Sequence, residues 1–331
     1  LILLAFGTRP EYLKIKPLIE EFDQEEISYK LLFTGQHKDL LKDIEVDQEI
    51  KIPNSGNRLD RVVGSVMNNI IWSGIDFVLV QGDTTSVLAV ALSAFHNQKK
   101  VIHLEAGLRT YDKQNPYPEE TNRRIVSAIA EIHLCPTELS KQNLITEKIE
   151  GDIYVVGNTV LDNLKQYKDE CEYTNKILVT LHRRENHLLI DKWFQQINKL
   201  AEDYSDYEFI LPIHPNPNVQ KHKDLLTNVK VVDPLPYNEL LELLVKTRLV
   251  ITDSGGLQEE CSFFNKKCLV CRKITERPES LGLTSFLVET PDRLRLMFDQ
   301  HIDKYDLDIQ CPYGDGNSAS RIIEILSKLD S

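Results

Sequence analysis

Thr252-Asp-Ser-Gly-Gly-Leu-Gln-Glu-Glu260 is the stretch that decides how this chain reads. It follows the apolar run Arg248-Leu-Val-Ile-Thr252 and opens a segment with helical spacing, so it is a strand-to-helix turn. A helix start leaves several backbone N–H groups without intrahelical partners, and the helix dipole adds partial positive charge there. Gly255 and Gly256 let an anion come close to the backbone, and Ser254 adds a hydroxyl donor. Together they form a phosphate seat. Glu260 lies about one and a half turns into the helix, where a carboxylate can accept bonds from a ribose. A turn of this kind also occurs as a plain connection. Its weight here comes from other charged turns, each at the end of an apolar run.

Those runs recur along the whole chain. In the first half they are Leu1–Phe6, Tyr29–Thr34, Phe77–Val80, Val101–Leu104, Ile132–Leu134 and Ile153–Val156. In the second half they are Ile177–Leu181, Glu208–Ile213, Val229–Val232, Leu249–Thr252, Lys267–Val270 and Ser285–Val288. Short Val-, Ile- and Leu-rich runs without clean alternation suit strands buried on both faces of a parallel sheet. Helical stretches are expected at Pro10–Phe22, Ser86–Phe95, Glu120–Ala130, Lys192–Leu200 and Leu257–Phe264. The alternation predicts an α/β fold with right-handed crossovers. It breaks once, at the polar stretch Lys165–Asn175, which reads as a linker. The expectation is two doubly wound domains, 1–164 and 176–317, facing each other across a cleft. Ligands of such sheets bind beyond the carboxyl ends of the strands.

Composition narrows the functional classes. At 331 residues the chain fits two domains of ordinary size. Its 39 basic and 51 acidic residues give a net charge of −12, which argues against a nucleic-acid partner. No apolar run approaches membrane-spanning length and no secretory-type leader opens the stretch, so a cytoplasmic location is expected. Of the six cysteines, Cys268 and Cys271 form a CxxC, but inside an apolar run and without a second pair. Core packing with reduced thiols is therefore the reading, rather than zinc or redox chemistry.

The charged turns divide by sign. Gly7-Thr-Arg-Pro-Glu11 follows the first strand, with Arg9 as a fork donor for phosphate and Lys14 one turn on. It is not GxGxxG, so no dinucleotide fingerprint is present. Thr34-Gly-Gln-His37 supplies Gln36, a donor and an acceptor. Gln81-Gly-Asp-Thr-Thr85 supplies Asp83, which either caps the next helix or faces the ligand. His103-Leu-Glu-Ala-Gly-Leu-Arg109 supplies Glu105 and a further arginine, Arg109. His103 and Glu105 share a face if the strand runs through both, but no third ligand accompanies them, so no metal is assigned. Pro116-Tyr-Pro-Glu-Glu-Thr-Asn-Arg-Arg124 supplies Glu119. Asp83, Glu105 and Glu119 gathered together are expected to raise one another's pKa, as general acid/base chemistry near neutral pH requires. The second half instead offers His182-Arg-Arg-Glu-Asn186, His214-Pro-Asn-Pro217 and Glu276-Arg-Pro-Glu279, with Arg277 among its cations. Carboxylates from one domain, and arginines, a histidine and a helix start from the other, suit a nucleotide sugar.

With these residues in place the chain resembles the non-hydrolysing UDP-N-acetylglucosamine 2-epimerase family. The match runs nearly end to end, from FGTRPE at Phe6–Glu11 through TGQH, GDTT, EAGLRT, PEETNRR, HRREN, HPNPNV, DSGGLQEE and ERPE to PYGDG at Pro312–Gly316. The resemblance implies a GT-B-like pair of Rossmann-type domains, with the terminal helix at 318–329 packing back on the first. It implies reversible conversion of UDP-N-acetylglucosamine to UDP-N-acetylmannosamine, by elimination of UDP, a 2-acetamidoglucal and re-addition. Arg9, Ser254, Gly256 and Arg277 then match diphosphate-binding positions, with Gly255 beside them, and Glu260 matches the ribose carboxylate. Asp83, Glu105 and Glu119 match the acidic catalytic group, their individual roles open, and His182 matches a position important for activity. No metal, nicotinamide or flavin is implied, and relatives are commonly homodimers. One departure stands out: His187-Leu-Leu-Ile-Asp191 leads directly into a helix where many relatives have a longer loop. Bacterial relatives bind an activating second UDP-N-acetylglucosamine near that loop. Alternative activities are 2-epimerisation of a related UDP-2,3-diacetamido sugar, hydrolytic epimerisation, and glycosyl transfer on the same architecture.

Overall fold

The computed structural model describes residues 1–36, 44–303, 305 and 308–328. The chain divides into two compact units, Leu1–Asn163 with Gly314–Ser331, and Leu164–Tyr313. The first unit runs β1 (Ile2–Phe6), α1 (Arg9–Gln24), β2 (Tyr29–Phe33), β3 (Gln48–Glu49), α2 (Arg58–Asn69), β4 (Phe77–Gln81) and α3 (Thr85–His96). It continues through β5 (Lys100–Leu104), α4 (Glu119–Ile129), β6 (Ile132–Cys135), α5 (Glu138–Thr146) and β7 (Asp152–Val155). Its sheet is parallel, in the order β3-β2-β1-β4-β5-β6-β7. Leu3, Leu4, Val78, Leu79, Val80 and Ile102 are fully buried, as strands covered on both faces require.

The chain enters the second unit through a 3-10 helix at Thr159–Glu170. The linker expected at Lys165–Asn175 is therefore helical over its first half. There follow β8 (Lys176–Thr180), α6 (Ile190–Asp203), β9 (Glu208–Pro212), α7 (Pro217–Gln220), β10 (Lys230–Val232) and α8 (Tyr237–Val245). β11 (Thr247–Thr252), α9 (Gly255–Phe263), β12 (Lys267–Val270), β13 (Ser285–Leu287) and α10 (Leu294–His301) complete it. This sheet is also parallel, ordered β10-β9-β8-β11-β12-β13. Trp193, Phe194 and Ile197 of α6 pack with Phe209 and Phe298 in one core, each such side chain stabilising the unit by roughly 1.5–3 kcal/mol.

The last helix, α11 (Ser318–Leu326), belongs to the first unit. Asp162 fixes its start, accepting from the N–H groups of Ser318 at 3.1 Å and Ala319 at 2.7 Å. Ile322, Ile323 and Leu326 then pack into the core that holds Ile15, Leu18 and Phe22 of α1. Helix α1 carries Pro17 in its interior. A proline there leaves the carbonyl four residues earlier without its donor. That carbonyl belongs to Leu13, and the Asn163 side chain donates to it at 2.8 Å.

In both sheets the chain winds one way, then reverses and adds strands on the other side of its first strand. The reversal lies between β1 and β4 in the first unit and between β8 and β11 in the second. Both turns of interest sit at these switch points, where open α/β sheets bind ligands.

Candidate active site

The first switch point is built on the β1–α1 turn. Thr8 caps α1 and Glu11 closes a reciprocal capping box, with a proline in the first turn. Gly7 is required, because a Cβ there would lie 2.1 Å from Thr34 Oγ1 at the end of β2. Arg9 opens the helix and is exposed. Gln36 accepts from the Ser86 hydroxyl at 2.7 Å, which ties the β2 turn to α3. His37 lies outside the described residues.

The carboxylates arrive from three further elements. Asp83 does not cap α3, since Thr84 takes that place and accepts from Val87 N–H. The Asp83 carboxylate instead meets Arg123 Nη2 at 2.5 Å, and its carbonyl accepts from Asn122 at 2.8 Å. Glu119 is one turn earlier on the same face of α4 as Asn122 and Arg123, so it shares their approach to the Asp83 turn. Its neighbour Glu120 is fully buried and accepts from the N–H groups of Thr110 and Tyr111. Strand β5 stops at Leu104, and Glu105 turns out of it with φ +65°. The shared strand face expected for His103 and Glu105 is thereby lost. Glu105 takes Lys14 Nζ at 2.6 Å on both oxygens and a bond from Gln81. His103 is buried, and its Nε2 donates to Gly82 O at 2.9 Å, holding the glycine next to Asp83. Burial pushes the His103 imidazole down to about 3, so it stays neutral.

Asp83 pairs with Arg123, which also holds Glu120, and Glu105 pairs with Lys14. Burial pushes the Glu11 carboxyl up to about 7, with the Asp83 charge adding to the shift. Arg109 departs from its reading as a cation that faces the ligand. Its guanidinium is buried and spent on Glu147 at 2.9 Å, Ser127 at 3.0 Å and Leu108 O at 2.8 Å. It braces the loop after β5 rather than facing a ligand.

In the second unit Ser254 caps α9, accepting weakly from Leu257 N–H. No protein group among the described residues accepts from the N–H of Gly255 or Gly256. Arg277 lies across this helix start: a Cβ on Gly255 would sit 2.6 Å from Arg277 Nη1 and 2.8 Å from Glu276 Oε1. Glu259 and Glu276 hold the guanidinium at 2.5 Å each, and Tyr313 of the PYGDG segment donates to the Arg277 carbonyl. Arg272 and Arg183 also pair with Glu276, so the charges form a network rather than an isolated ion. Glu260, nearly buried, accepts from the Tyr237 hydroxyl at 2.8 Å, which aims its carboxylate.

Asp253 ties the two turns of this switch point together. It is fully buried and accepts from the N–H groups of His182 and Arg183 and from the Asn186 side chain. His182 Nδ1 lies 3.5 Å from it, and the ring stacks on His214 with centroids 5.2 Å apart. Burial pushes the His182 imidazole below its ordinary value, with Asp253 opposing. Cys268 and Cys271 are fully buried, and burial pushes the Cys271 thiol up, so the CxxC is core. Among the described residues no group of three His, Cys, Asp or Glu side chains is placed to hold a metal.

The UDP-N-acetylglucosamine 2-epimerase family model matches residues 20–327. The chain belongs to this epimerase family. Relatives named UDP-N-acetylglucosamine 2-epimerase include one from Neisseria meningitidis, 35% identical over 99% of this chain and 99% of its own. One from Campylobacter jejuni is 37% identical over 99% and 97%. The crystal structure of the Neisseria meningitidis UDP-GlcNAc 2-epimerase bound to UDP-GlcNAc has a TM-score of 0.90 at 36% identity, covering 99% of both chains. That of the Methanocaldococcus jannaschii UDP-GlcNAc 2-epimerase, in complex with UDP-GlcNAc and UDP, has a TM-score of 0.84 at 30% identity and covers 99% of both.

Within this epimerase the sequence reading missed the residues that act through others: Arg123, Gln81, Tyr237, Asp253, Glu259 and Glu276. Asp253 stood inside the quoted turn. Nothing in the local pattern says that its carboxylate reaches across to the turn after β8. The segment His187–Asp191 contains no extra loop; Leu188 is 91% exposed and α6 begins at Ile190.

Proposed function

We propose that the chain interconverts UDP-N-acetylglucosamine and UDP-N-acetylmannosamine without net hydrolysis. A base removes the C2 proton, the C1–O bond breaks, and UDP departs with the bond's electron pair. This leaves 2-acetamidoglucal. An acid then returns a proton to C2 on the opposite face as UDP adds back at C1, so atoms balance and no water is consumed. The observation that carries this reading is the α9 start, where unfilled N–H groups and the braced Arg277 guanidinium converge at Gly255. Such preorganised positive charge stabilises a departing diphosphate more than a resting one. Ser254 and Gly256 are assigned to this diphosphate, with His182 beside it and Glu260 on the ribose; Arg9 is assigned to phosphate contact by the family match. Asp83, Glu105 and Glu119 are assigned the proton transfers, with Lys14 holding Glu105 in place. Gln36 is assigned to substrate contact.

The test is turnover of UDP-N-acetylglucosamine in D2O followed by NMR. The epimerised product gains deuterium at C2 while free UDP stays low. Product without solvent deuterium contradicts the reading, and stoichiometric UDP release points to the hydrolytic alternative.

A further inference from the structure

The proposed steps leave one fully buried carboxylate without a task, that of Asp253. Among the described residues no lysine or arginine side chain pairs with it. Its oxygens accept instead from the His182 N–H at 3.0 Å, the Arg183 N–H at 2.9 Å and the Asn186 side chain at 3.0 Å. The His182 imidazole faces it too, with Nδ1 3.5 Å from Oδ1. The same histidine is held from its other end, because His187 Nε2 donates to the His182 carbonyl at 3.0 Å. Across the ring face lies His214, stacked within 13° at a centroid distance of 5.2 Å. Backbone and ring of His182 are thus both fixed, by groups from the turns after β8, β9 and β11. Its Nε2 makes no hydrogen bond among the described residues, and the side chain is 38% exposed.

Carboxylate oxygens offer lone pairs only, so the ring nitrogen turned toward Asp253 is the one that carries the proton. His214 is fixed the other way: its Nδ1 accepts from the Asn216 N–H at 3.1 Å, which puts its proton on Nε2. Two stacked imidazoles therefore hold their protons on opposite nitrogens. We propose that Asp253 is a positioning residue for His182: it keeps a proton on Nδ1, leaves Nε2 as the nitrogen that meets the substrate, and steadies the ring as an imidazolium opposite the departing diphosphate. This deepens the epimerase reading above and rests on its placement of His182 beside the diphosphate. A proton taken from solvent at Nε2 stays on the ring and is donated as a hydrogen bond to the phosphate oxygen that receives the C1–O electron pair. The buried carboxylate on the far side stabilises that cation. Tying the two turns together would need only the backbone contacts, which hold whichever nitrogen is protonated. The ring contact is what goes further.

The experiment is long-range proton–nitrogen NMR of the nine imidazoles in the full chain, joined to steady-state kinetics. Spectra are taken at about pH 8.5, roughly two units above the ordinary imidazole value, so that the rings are neutral. The signals of His182 and His214 are assigned by their loss in His182→Gln and His214→Gln. Wild type is expected to show His182 protonated at Nδ1 and His214 at Nε2. In Asp253→Asn the amide keeps an oxygen for the backbone N–H groups but can also turn a donor toward the ring. The His182 proton is then expected to move to Nε2. With it kcat for UDP-N-acetylglucosamine falls roughly 100-fold, the lower end for loss of an acid–base group, while KM is nearly unchanged. His182 protonated at Nε2 in the wild type overturns the proposal, and that spectrum needs no variant to fold. Asp253→Asn with the proton still on Nδ1, or with the wild-type kcat, overturns it as well. Wild type that shows the Nδ1 proton but forms no epimerised product removes the underlying reading instead, so the two failures are told apart.

Discussion

The β1–α1 and β11–α9 turns are two solutions to the same geometry. Each lies at the switch point of a parallel sheet and each opens a helix with a hydroxyl cap, Thr8 or Ser254. In the first unit a glutamate three residues past the cap folds back and fills the N–H groups. In the second, Asp253 stands one residue before the cap and spends its carboxylate on the neighbouring turn. The α9 start is left to Arg277 and two glycines. A shift of four residues in where a carboxylate falls thus decides whether a Rossmann-like turn leaves its N–H groups open or fills them with its own anion. The difference sets an open helix start in the second unit against a closed one in the first.

The comparison breaks most visibly at Glu119. Glu119→Gln is expected to lower kcat roughly 100- to 10,000-fold, the range for removing a general acid or base, while UDP affinity by calorimetry stays unchanged. Parallel loss of both would merge the roles that the two turns keep separate. Arg277→Ala attacks the other turn. It leaves Glu259 and Glu276 with less compensation in a buried network, a loss of roughly 3–5 kcal/mol in unfolding free energy, and UDP binding weakens with it. Retained UDP affinity would place the diphosphate elsewhere.

Glu11 sharpens the contrast through stability. Its folded pKa is raised from 4.5 to about 7, so its contribution is fully present below 4.5 and is lost as pH rises through about 7. At about 1.4 kcal/mol per unit the wild type should lose roughly 3 kcal/mol relative to Glu11→Gln across that window. Urea unfolding of both proteins against pH checks this; parallel curves would mean that the buried charge carries no penalty. The smallest effect is at Tyr237. Tyr237→Phe removes one donor from Glu260 and should weaken UDP binding by about 1 kcal/mol without changing kcat.

Much of this was legible in the sequence. The twelve apolar runs all appear as strands because both-face burial writes itself as continuous Val, Ile and Leu. Helices with a clear start, such as α1 behind Thr8 and Pro10, were equally readable. The edge strand β3 is two residues long, and α2 carries Gly64 and paired asparagines that blur its helical pattern. Helices α5, α7, α8 and α10 were also unassigned. At the candidate site, residue types at strand ends singled out Asp83, Glu105 and Arg277. Partner choice was not readable: Arg109 looked like a ligand-facing cation, yet Glu147, thirty-eight residues away, takes it. Long-range ion pairs leave no local pattern.

Backbone amide exchange with and without UDP tests the division between the two turns most directly. The account predicts that UDP slows exchange at Gly255 and Gly256 and leaves Gly7 and Thr8, already held by Glu11, unchanged. Protection appearing at Gly7 and Thr8, with Gly255 and Gly256 unaffected, would contradict it.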